Sequence, residues 1–304
     1  MNQYDQLKRG ETGAWLSITV YLLLAAIKVI IGNLSNSQAL QADGLNNTTD
    51  VIASLAVLIG LRISRKPPDS DHHYGHFRAE LIASLIASFI MVTVGFQVIV
   101  QSIQLIWNRS HTQPDMIAAW IALASSLIML AVYWFNSRLA KRINSSSLHA
   151  ASQDNRSDAL ISFGAFIGII GAQIGWYWLD PVAGLIVGIL IVHTAWSIFR
   201  NSSHSLTDGF DQDLIEVIRE HIAKDQEVIE VRDIKGRRHG NQTLLDIIIY
   251  VDPNITVEHG HKITDRIEET LEQELNIPYA HIHVEPYHQE SKHKINNSRG
   301  SKYD

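Results

Sequence analysis

The sequence predicts an α-helical membrane domain followed by a small α/β domain outside the membrane. Six segments within the first 200 residues are apolar enough to cross a bilayer, which takes ~20 mostly apolar residues. Charge lies mainly in the remainder: from residue 203 onward there are 20 acidic and 12 basic residues, against 11 and 13 before it. We therefore expect a transmembrane domain over 1–203, a soluble domain over 204–289 and a disordered tail over 290–304.

The predicted spans and the loops between them also indicate an orientation. The spans cover 12–33, 39–63, 79–106, 115–142, 147–174 and 179–200. The loops on one side carry Lys8, Arg9, Arg65, Lys66, Lys141, Arg142 and Arg200, and those on the other side carry Arg109 alone. By the positive-inside rule both termini are cytoplasmic, and we expect a multi-pass protein of the plasma membrane. Lys28, inside the first span, is interpreted as reaching the outer interface, with a buried ion pair as the alternative.

Polar residues in the second and fifth spans form two pairs with helical spacing. Asn46 and Asp50 are four residues apart, as are Asp154 and Asp158, so each pair lies on one face of its helix. Because one aspartate at a bilayer centre costs ~2.5–3.5 kcal/mol on insertion scales, these faces must point into the bundle. Together they offer three carboxylates and one amide oxygen to a cation. The alternative is that these groups only hydrogen-bond neighbouring helices.

The available ligand types narrow the choice of cation. The chain has no cysteine, which excludes thiolate ligands, disulfides and a cysteine nucleophile. Oxygen ligands suit hard ions, but Mg²⁺ sheds its waters reluctantly and Ca²⁺ takes about six to eight oxygens. Mn²⁺ is therefore the best match, Fe²⁺ is next, and Zn²⁺ and Cd²⁺ are alternatives.

Four stretches of the sequence carry a resemblance to a known family. They are SQALQADGLNNTTDVIASLAVLIGLRIS, which starts at Ser37, PPDSDHHYGHFRAE at Pro67, DNRSDALISFGAFIG at Asp154 and HIHVEP at His281. On these motifs nearly the whole chain resembles the cation diffusion facilitator family of metal exporters.

This resemblance implies a role for the two polar pairs. Asn46, Asp50, Asp154 and Asp158 match the transport site of the family. Zinc-carrying members typically have His at the position of Asp154 and Asp at the position of Asn46. On both differences the chain resembles the manganese-transporting branch.

A second group of candidate ligands follows the second span. Asp69, His72 and His76 are separated by three and four residues, in a segment that two prolines keep from continuing the helix. This spacing would allow them to surround a metal, and the resemblance implies that matching positions bind a second ion in zinc-carrying members. The alternative is that His76 and Glu80 only hold the loop against the membrane domain.

The soluble domain has the predicted order α-β-β-α-β. Helical and strand periodicities indicate elements at 211–222, 228–235, 243–251, 256–274 and 280–286. The resemblance implies a metallochaperone-like fold that forms a homodimer, with His261, His283 and Glu285 matching positions that bind regulatory metal. Arg232 and Ile248 stand where further histidine ligands are common, so a complete binuclear site is not expected. The alternative is a surface cluster of histidines.

These features together predict a divalent metal efflux transporter that exchanges metal for protons by alternating access. Buried acids that bind either metal or protons would couple the two flows, and inward proton flow would drive metal outward. Two other classes stay open: an intramembrane hydrolase, for which no HExxH motif is present, and a non-transporting metal sensor. We expect no enzymatic activity, organic cofactor or nucleic-acid partner. The expected partners are metal ions, protons, the lipid bilayer and a second copy of the chain.

Overall fold

Six long α-helices precede a small α/β domain. In this computed structural model, residues 3–64, 66–108, 113–143, 146–239 and 242–288 are described. The helices are α1 (Gln3–Leu34), α2 (Gln38–Ser64), α3 (Ala79–Trp107), α4 (Met116–Ile143), α5 (Ser146–Gln173) and α6 (Leu179–Leu206). They follow the predicted spans closely except that α1 begins earlier and α6 ends later. A helix satisfies its own backbone hydrogen bonds, so it continues through polar residues at which an apolar segment stops.

Four of these helices are long and apolar enough to cross a membrane. Within the described residues the four segments are Leu16–Leu34, Ala79–Trp107, Met116–Arg142 and Leu179–Leu206. The other two helices, α2 with 27 residues and α5 with 28, are of similar length but are not among the four. The structure therefore has a helical membrane domain with four strongly apolar helices, and the predicted count of six spans is not confirmed.

The chain divides into two compact units. One contains Met1–Arg62 and Ile82–Arg200, and the other contains Ile63–Leu81 and Asn201–Asp304. In the first unit, mostly small side chains join three helices in a buried cluster: Ala39 and Leu40 of α2, Ala118, Ala119 and Ala122 of α4, and Ala165 and Ile169 of α5. Small residues let helix backbones approach closely, which is how membrane helices gain packing contacts.

The first turn of α2 is held by a carboxylate at the start of α6. Asp180 accepts hydrogen bonds from the backbone N–H of Gln38, at 2.7 Å, and from the hydroxyl of Ser37, also at 2.7 Å. The Ser37 hydroxyl in turn accepts from the N–H of Leu40 at 3.1 Å. A carboxylate at a helix N-terminus satisfies free N–H groups and is favoured by the helix dipole. This contact fixes the position of α2 against α6.

The C-terminal domain has the predicted order of elements. It consists of α7 (Gln212–Ile222), β1 (Glu230–His239), β2 (Gln242–Val251), α8 (Val257–Leu275) and β3 (Tyr279–Pro286). The sheet order is β1-β2-β3, with β1 antiparallel and β3 parallel to β2. The parallel pair requires a crossover, which α8 provides. The predicted tail, 290–304, lies outside the described residues.

Apolar residues of both helices cover one face of this sheet. The buried cluster includes Ile218 of α7, Ile263 and Leu271 of α8, and Ile247 and Ile249 of β2. Each helix begins at a capping side chain, since Asp211 accepts from the N–H of Asp213 and Thr256 accepts from the N–H of His259. In this domain the capping residues and the spacing of the apolar residues therefore indicate the same helices. This explains why these helices could be predicted from the sequence.

Candidate metal-transport site

Asn46 lies within hydrogen-bond distance of two of the other three predicted transport ligands. The side-chain amide of Asn46 donates to Asp158, with 3.1 Å between Asn46 Nδ2 and Asp158 Oδ1. The same nitrogen lies 3.4 Å from Asp50 Oδ2. Asn46 thus joins a carboxylate of its own helix, α2, to a carboxylate of α5. Asn46 and Asp158 are buried, and Asp50 is partly buried.

The fourth predicted ligand, Asp154, lines the same cavity but is more exposed. The cavity has a volume of about 860 Å³, and its polar lining includes Ser17, Tyr21, Asn46, Asp50, Asp154 and Asp158. The exposed position of Asp154, one turn before Asp158 on α5, contrasts with the buried position of Asp158. Asp154 therefore faces the accessible part of the cavity, while Asn46 contacts both Asp50 and Asp158.

Helix α1 contributes a tyrosine to this site, which the sequence reasoning missed. The hydroxyl of Tyr21 donates to Asp158 Oδ2 at 2.5 Å and accepts from the amide of Asn155 at 2.9 Å. The amide of Asn136 on α4 donates to Asn155 Oδ1 at 3.0 Å and to Ser17 Oγ at 2.9 Å. Residues of α4, α5 and α1 thus form a chain of hydrogen bonds that ends at the Asp158 carboxylate. The available signal was the presence of Tyr21 and Asn136 inside otherwise apolar segments.

Lys28 does not reach the outer interface, so that interpretation is wrong. Its side chain is fully buried and forms an ion pair with Asp43, with 2.9 Å between Lys28 Nζ and Asp43 Oδ2. Lys28 Nζ also donates to Asn47 Oδ1 at 2.7 Å and to Ser162 Oγ at 2.9 Å. Polar partners on two helices, α2 and α5, hold the ammonium group inside the bundle.

The arrangement of oxygen atoms can bind a cation. Asp50 and Asp158 each offer a carboxylate, Asn46 offers an amide that bridges them, and Asp154 adds a carboxylate from the same cavity. Carboxylate and amide oxygens are hard ligands. Since a buried carboxylate is costly in a membrane unless it is paired, this group is suited to hold either a metal ion or protons.

The loop between α2 and α3 brings its three predicted ligands together. Among the described residues, Asp69, His72 and His76 are the one group whose ligand atoms all lie within 4.8 Å of one another. Asp69 Oδ1 lies 3.1 Å from His72 Nδ1, and Asp69 Oδ2 lies 3.4 Å from His76 Nε2. Asp69 accepts backbone N–H bonds from Asp71 and His72, which lower the pKa of this carboxyl. Gly75, at φ 80°, makes the turn that brings His76 back toward Asp69.

The three predicted ligands of the C-terminal domain do not form such a group. His261 Nδ1 lies 3.6 Å from Asp265 of its own helix. His283 Nε2 lies 3.6 Å from Glu285 Oε1, and the other oxygen of Glu285 forms an ion pair with Arg232. The strand register shifts between Val231 and Asp233, so Arg232 occupies a bulge. At Glu285 the guanidinium of Arg232 therefore supplies the positive charge that a metal would otherwise bring.

Comparison with known proteins shows similarity over nearly the whole chain. The chain is 52% identical to the manganese efflux system protein MneS of Bacillus subtilis (strain 168) over 289 residues, 95% of this chain and 100% of that protein. It is 33% identical to the manganese efflux system protein MneP of the same organism, over 95% of this chain and 99% of that protein. A solved structure of CzrB matches 26% of this chain and 100% of its own, at 32% identity and a TM-score of 0.25.

Two family descriptions match the two parts of the chain. The cation efflux transmembrane domain matches residues 14–207. The cytoplasmic domain of cation efflux proteins matches residues 210–287. The chain therefore belongs to the cation efflux family, the cation diffusion facilitators, and is a metal efflux transporter and not an enzyme.

Proposed function

We propose that this transporter exports Mn²⁺ from the cytoplasm in exchange for protons, by alternating access at Asn46, Asp50, Asp154 and Asp158. The observation that carries this proposal is the bridge from Asn46 to both Asp50 and Asp158 beside a cavity in the helical domain. It supports a cation site built only of oxygen ligands from two helices.

The choice of Mn²⁺ has chemical and evolutionary support. Oxygen ligands favour Mn²⁺, whereas Zn²⁺ gains more from imidazole or thiolate. The relatives MneS and MneP are named as manganese efflux proteins. Fe²⁺, Zn²⁺ and Cd²⁺ are the competing substrates to compare with Mn²⁺.

We infer that all six long helices cross the plasma membrane, with both termini in the cytoplasm. At ~1.5 Å per residue, 27 or 28 residues reach ~40 Å, more than a ~30 Å hydrocarbon core requires. Asp43, Asn46 and Asn47 of α2 are buried, as are Asn155 and Asp158 of α5. Helices that bury most of their polar residues, with the exposed Asp154 lining the cavity, can face lipid with their apolar sides.

Proton exchange follows from the chemistry of the candidate ligands. A carboxylate binds a dication only when it is deprotonated, so metal and protons compete for the same oxygens. Proton entry from outside would then favour metal release outward, and the protons would leave the site on the cytoplasmic side. Metal efflux would therefore draw on the proton gradient.

We also propose that residues 204–289 form a metallochaperone-like domain through which two copies of the chain pair, and that residues 1–203 form the membrane domain. The limits of the two family matches, at residues 207 and 210, support a boundary in this region. Closed twofold pairing is the commonest form of homo-oligomer. The assembly would place two transport sites in one dimer.

The Asp69, His72 and His76 group is a second candidate site, which we propose binds a metal ion with imidazole ligands. Its ligand distances support this. Equilibrium binding of Zn²⁺ to the full chain tests it: His72→Ala should remove one equivalent of bound metal. His73, an exposed neighbour outside the group, provides the matched control His73→Ala, which should bind as much metal as the unmodified chain.

The main proposal is tested by metal flux in proteoliposomes with an imposed pH gradient. Mn²⁺, Zn²⁺, Fe²⁺ and Cd²⁺ are compared at equal free concentration, with collapse of the gradient as the control. We expect Mn²⁺ flux to be fastest and to depend on the gradient. Metal binding without flux would instead support a sensor, and flux that is independent of the gradient would refute proton exchange.

A further inference from the structure

The Lys28 ammonium group lies one helical turn from the candidate transport site and is held by the same two helices. We propose that Lys28 is a positioning residue that fixes α2 against α5 and thereby sets the spacing of the metal ligands. This proposal rests on the proposed function, because it concerns the geometry of that site. It assigns a role in metal selectivity to a residue that does not line the cavity.

The contacts of Lys28 resemble those of the transport site, because both join two residues of α2, four positions apart, to a residue of α5. Asp43 and Asn47 of α2 are four residues apart and receive the ammonium at 2.9 and 2.7 Å. Ser162 of α5 receives it at 2.9 Å and lies four residues, about one turn, after Asp158. The ammonium therefore donates one hydrogen bond to α2 and one to α5, and it forms an ion pair with Asp43 of α2. All four of these residues have an exposure of 0%.

The backbone of α2 is shaped to accept Lys28. Gly44 follows Asp43, and a Cβ atom at Gly44 would lie 2.7 Å from the backbone nitrogen of Val29 and 2.8 Å from Lys28 Cβ. Any side chain here would push α1 away from α2. Glycine allows the close approach that brings the ammonium to Asp43 and Asn47.

Helix α1 makes a second contact with α5 on the same face. Tyr21 and Lys28 are seven residues apart, about two turns, so both project toward α5. Tyr21 meets Asp158, and Lys28 meets Ser162. These two contacts hold α5 at Asp158 and at Ser162. Lys28 also bonds to Asn47 of α2.

The contacts of Lys28 with Asp43, Asn47 and Ser162, which we call the clamp, would have a use in a transport cycle. In the proposed exchange, metal and protons replace one another at the carboxylates, and carboxylates that hold neither would repel each other and push α2 and α5 apart. Lys28 and Asp43 form a fully buried ion pair outside the cavity lining, so it can hold the helices in both states. A buried ion pair adds little net stability over apolar packing, because desolvation offsets the attraction, but it does determine which atoms meet.

Ser162→Ala tests the clamp with the least risk to folding. It removes the bond to α5 and leaves the ion pair between Lys28 and Asp43 intact. The matched control is Ser88→Ala on α3, another buried serine, whose hydroxyl bonds to Leu85 of its own helix. Full-length variants in proteoliposomes are compared for the KM of Mn²⁺, the maximal rate, and the ratio of Mn²⁺ to Zn²⁺ flux.

We expect Ser162→Ala to raise the KM of Mn²⁺ by about 10-fold, the lower end of the ~10–100-fold losses found when groups that orient metal ligands are removed. The maximal rate should change less, and the ratio of Mn²⁺ to Zn²⁺ flux should fall. The double variant Lys28→Met/Asp43→Asn, which removes both charges together, should have a larger effect on KM. Ser88→Ala should behave as the unmodified chain does.

Two results would overturn the proposal. One is an unchanged KM and flux ratio in Ser162→Ala. The other is an equal effect of Ser162→Ala and Ser88→Ala, which would indicate a general loss of packing. Either result leaves the proposed function standing if Asp158→Ala still abolishes flux. Normal flux from Asp158→Ala would instead remove the proposed function itself.

Discussion

Asn46 donates its side-chain amide to Asp158 across the interface between α2 and α5, at 3.1 Å. A second aspartate at position 46 would place an acceptor against two further acceptors, whereas the amide can satisfy both carboxylates with its N–H groups. A cation between Asp50 and Asp158 would displace these N–H groups. The amide would then turn its carbonyl oxygen toward the ion, so Asn46 suits both the metal-bound and the metal-free site.

The carboxylates of Asp50 and Asp158 should be essential for transport. Asp50→Ala and Asp158→Ala should each reduce Mn²⁺ flux in vesicles below detection, because each removes a charged ligand from the cavity. Size-exclusion chromatography and thermal unfolding should show folded protein. Asp246→Ala, which removes an exposed carboxylate of β2, should retain full flux. Normal flux from either cavity variant would show that the metal binds elsewhere.

Metal binding should release protons, because the acids must be deprotonated to bind a dication. The affinity for Mn²⁺ should therefore rise with pH. Calorimetric titrations in buffers of different ionisation enthalpy should give heats that vary with the buffer, and the double variant Asp50→Ala/Asp158→Ala should lose the part of this heat that comes from the cavity. Heats that do not depend on the buffer would argue against exchange with protons.

The hydroxyl of Tyr21 should contribute to metal affinity through Asp158. Tyr21→Phe removes the donor that lies 2.5 Å from Asp158 Oδ2 and leaves the ring in place. We expect the KM of Mn²⁺ to rise about 10-fold, as for other groups that orient a metal ligand. Tyr133→Phe, on α4 and outside the cavity lining, is the control. An unchanged KM in Tyr21→Phe would mean that Asp158 is oriented without this contact.

Deletion of residues 205–289 should weaken the dimer and lower stability or activity without removing the intramembrane site. The reason is that the bonds of Asn46 to Asp50 and Asp158, and of Tyr21 to Asp158, all lie within the helical unit. Light scattering in detergent gives the oligomeric state, and Mn²⁺ titration gives the binding. A truncated but folded protein that binds no metal would show that the site has been placed wrongly.

Selectivity should follow the two ligand differences at positions 46 and 154. Asp154→His supplies an imidazole, which favours Zn²⁺ over Mn²⁺, and Asn46→Asp restores the carboxylate that zinc-carrying members of the family typically have at this position. The double variant should therefore move transport toward Zn²⁺ and weaken Mn²⁺ transport, with competitive flux of both ions in the same vesicles as the measurement. A retained preference for Mn²⁺ would indicate that helix spacing, and not ligand type, selects the ion.

The sequence by itself determined the features that depend on residues close together in the chain. A spacing of four residues puts Asn46 with Asp50, and Asp154 with Asp158, on one helix face, because the helical period is constant. Periods of 3.6 and 2 residues likewise distinguish the helices and strands of the C-terminal domain. The proximity of Asp69, His72 and His76 could also be predicted, since all three lie within one short loop.

Only the tertiary structure decided which helix faces meet. Tyr21 and Asp158 are 137 residues apart, Lys28 and Ser162 are 134 apart, and Arg232 and Glu285 are 53 apart. No periodicity connects residues at such distances, because contacts between elements depend on how whole helices and strands pack. For the same reason Asp154 and Asp158 look equivalent in the sequence, yet packing against α1 and α2 buries Asp158 and leaves Asp154 exposed.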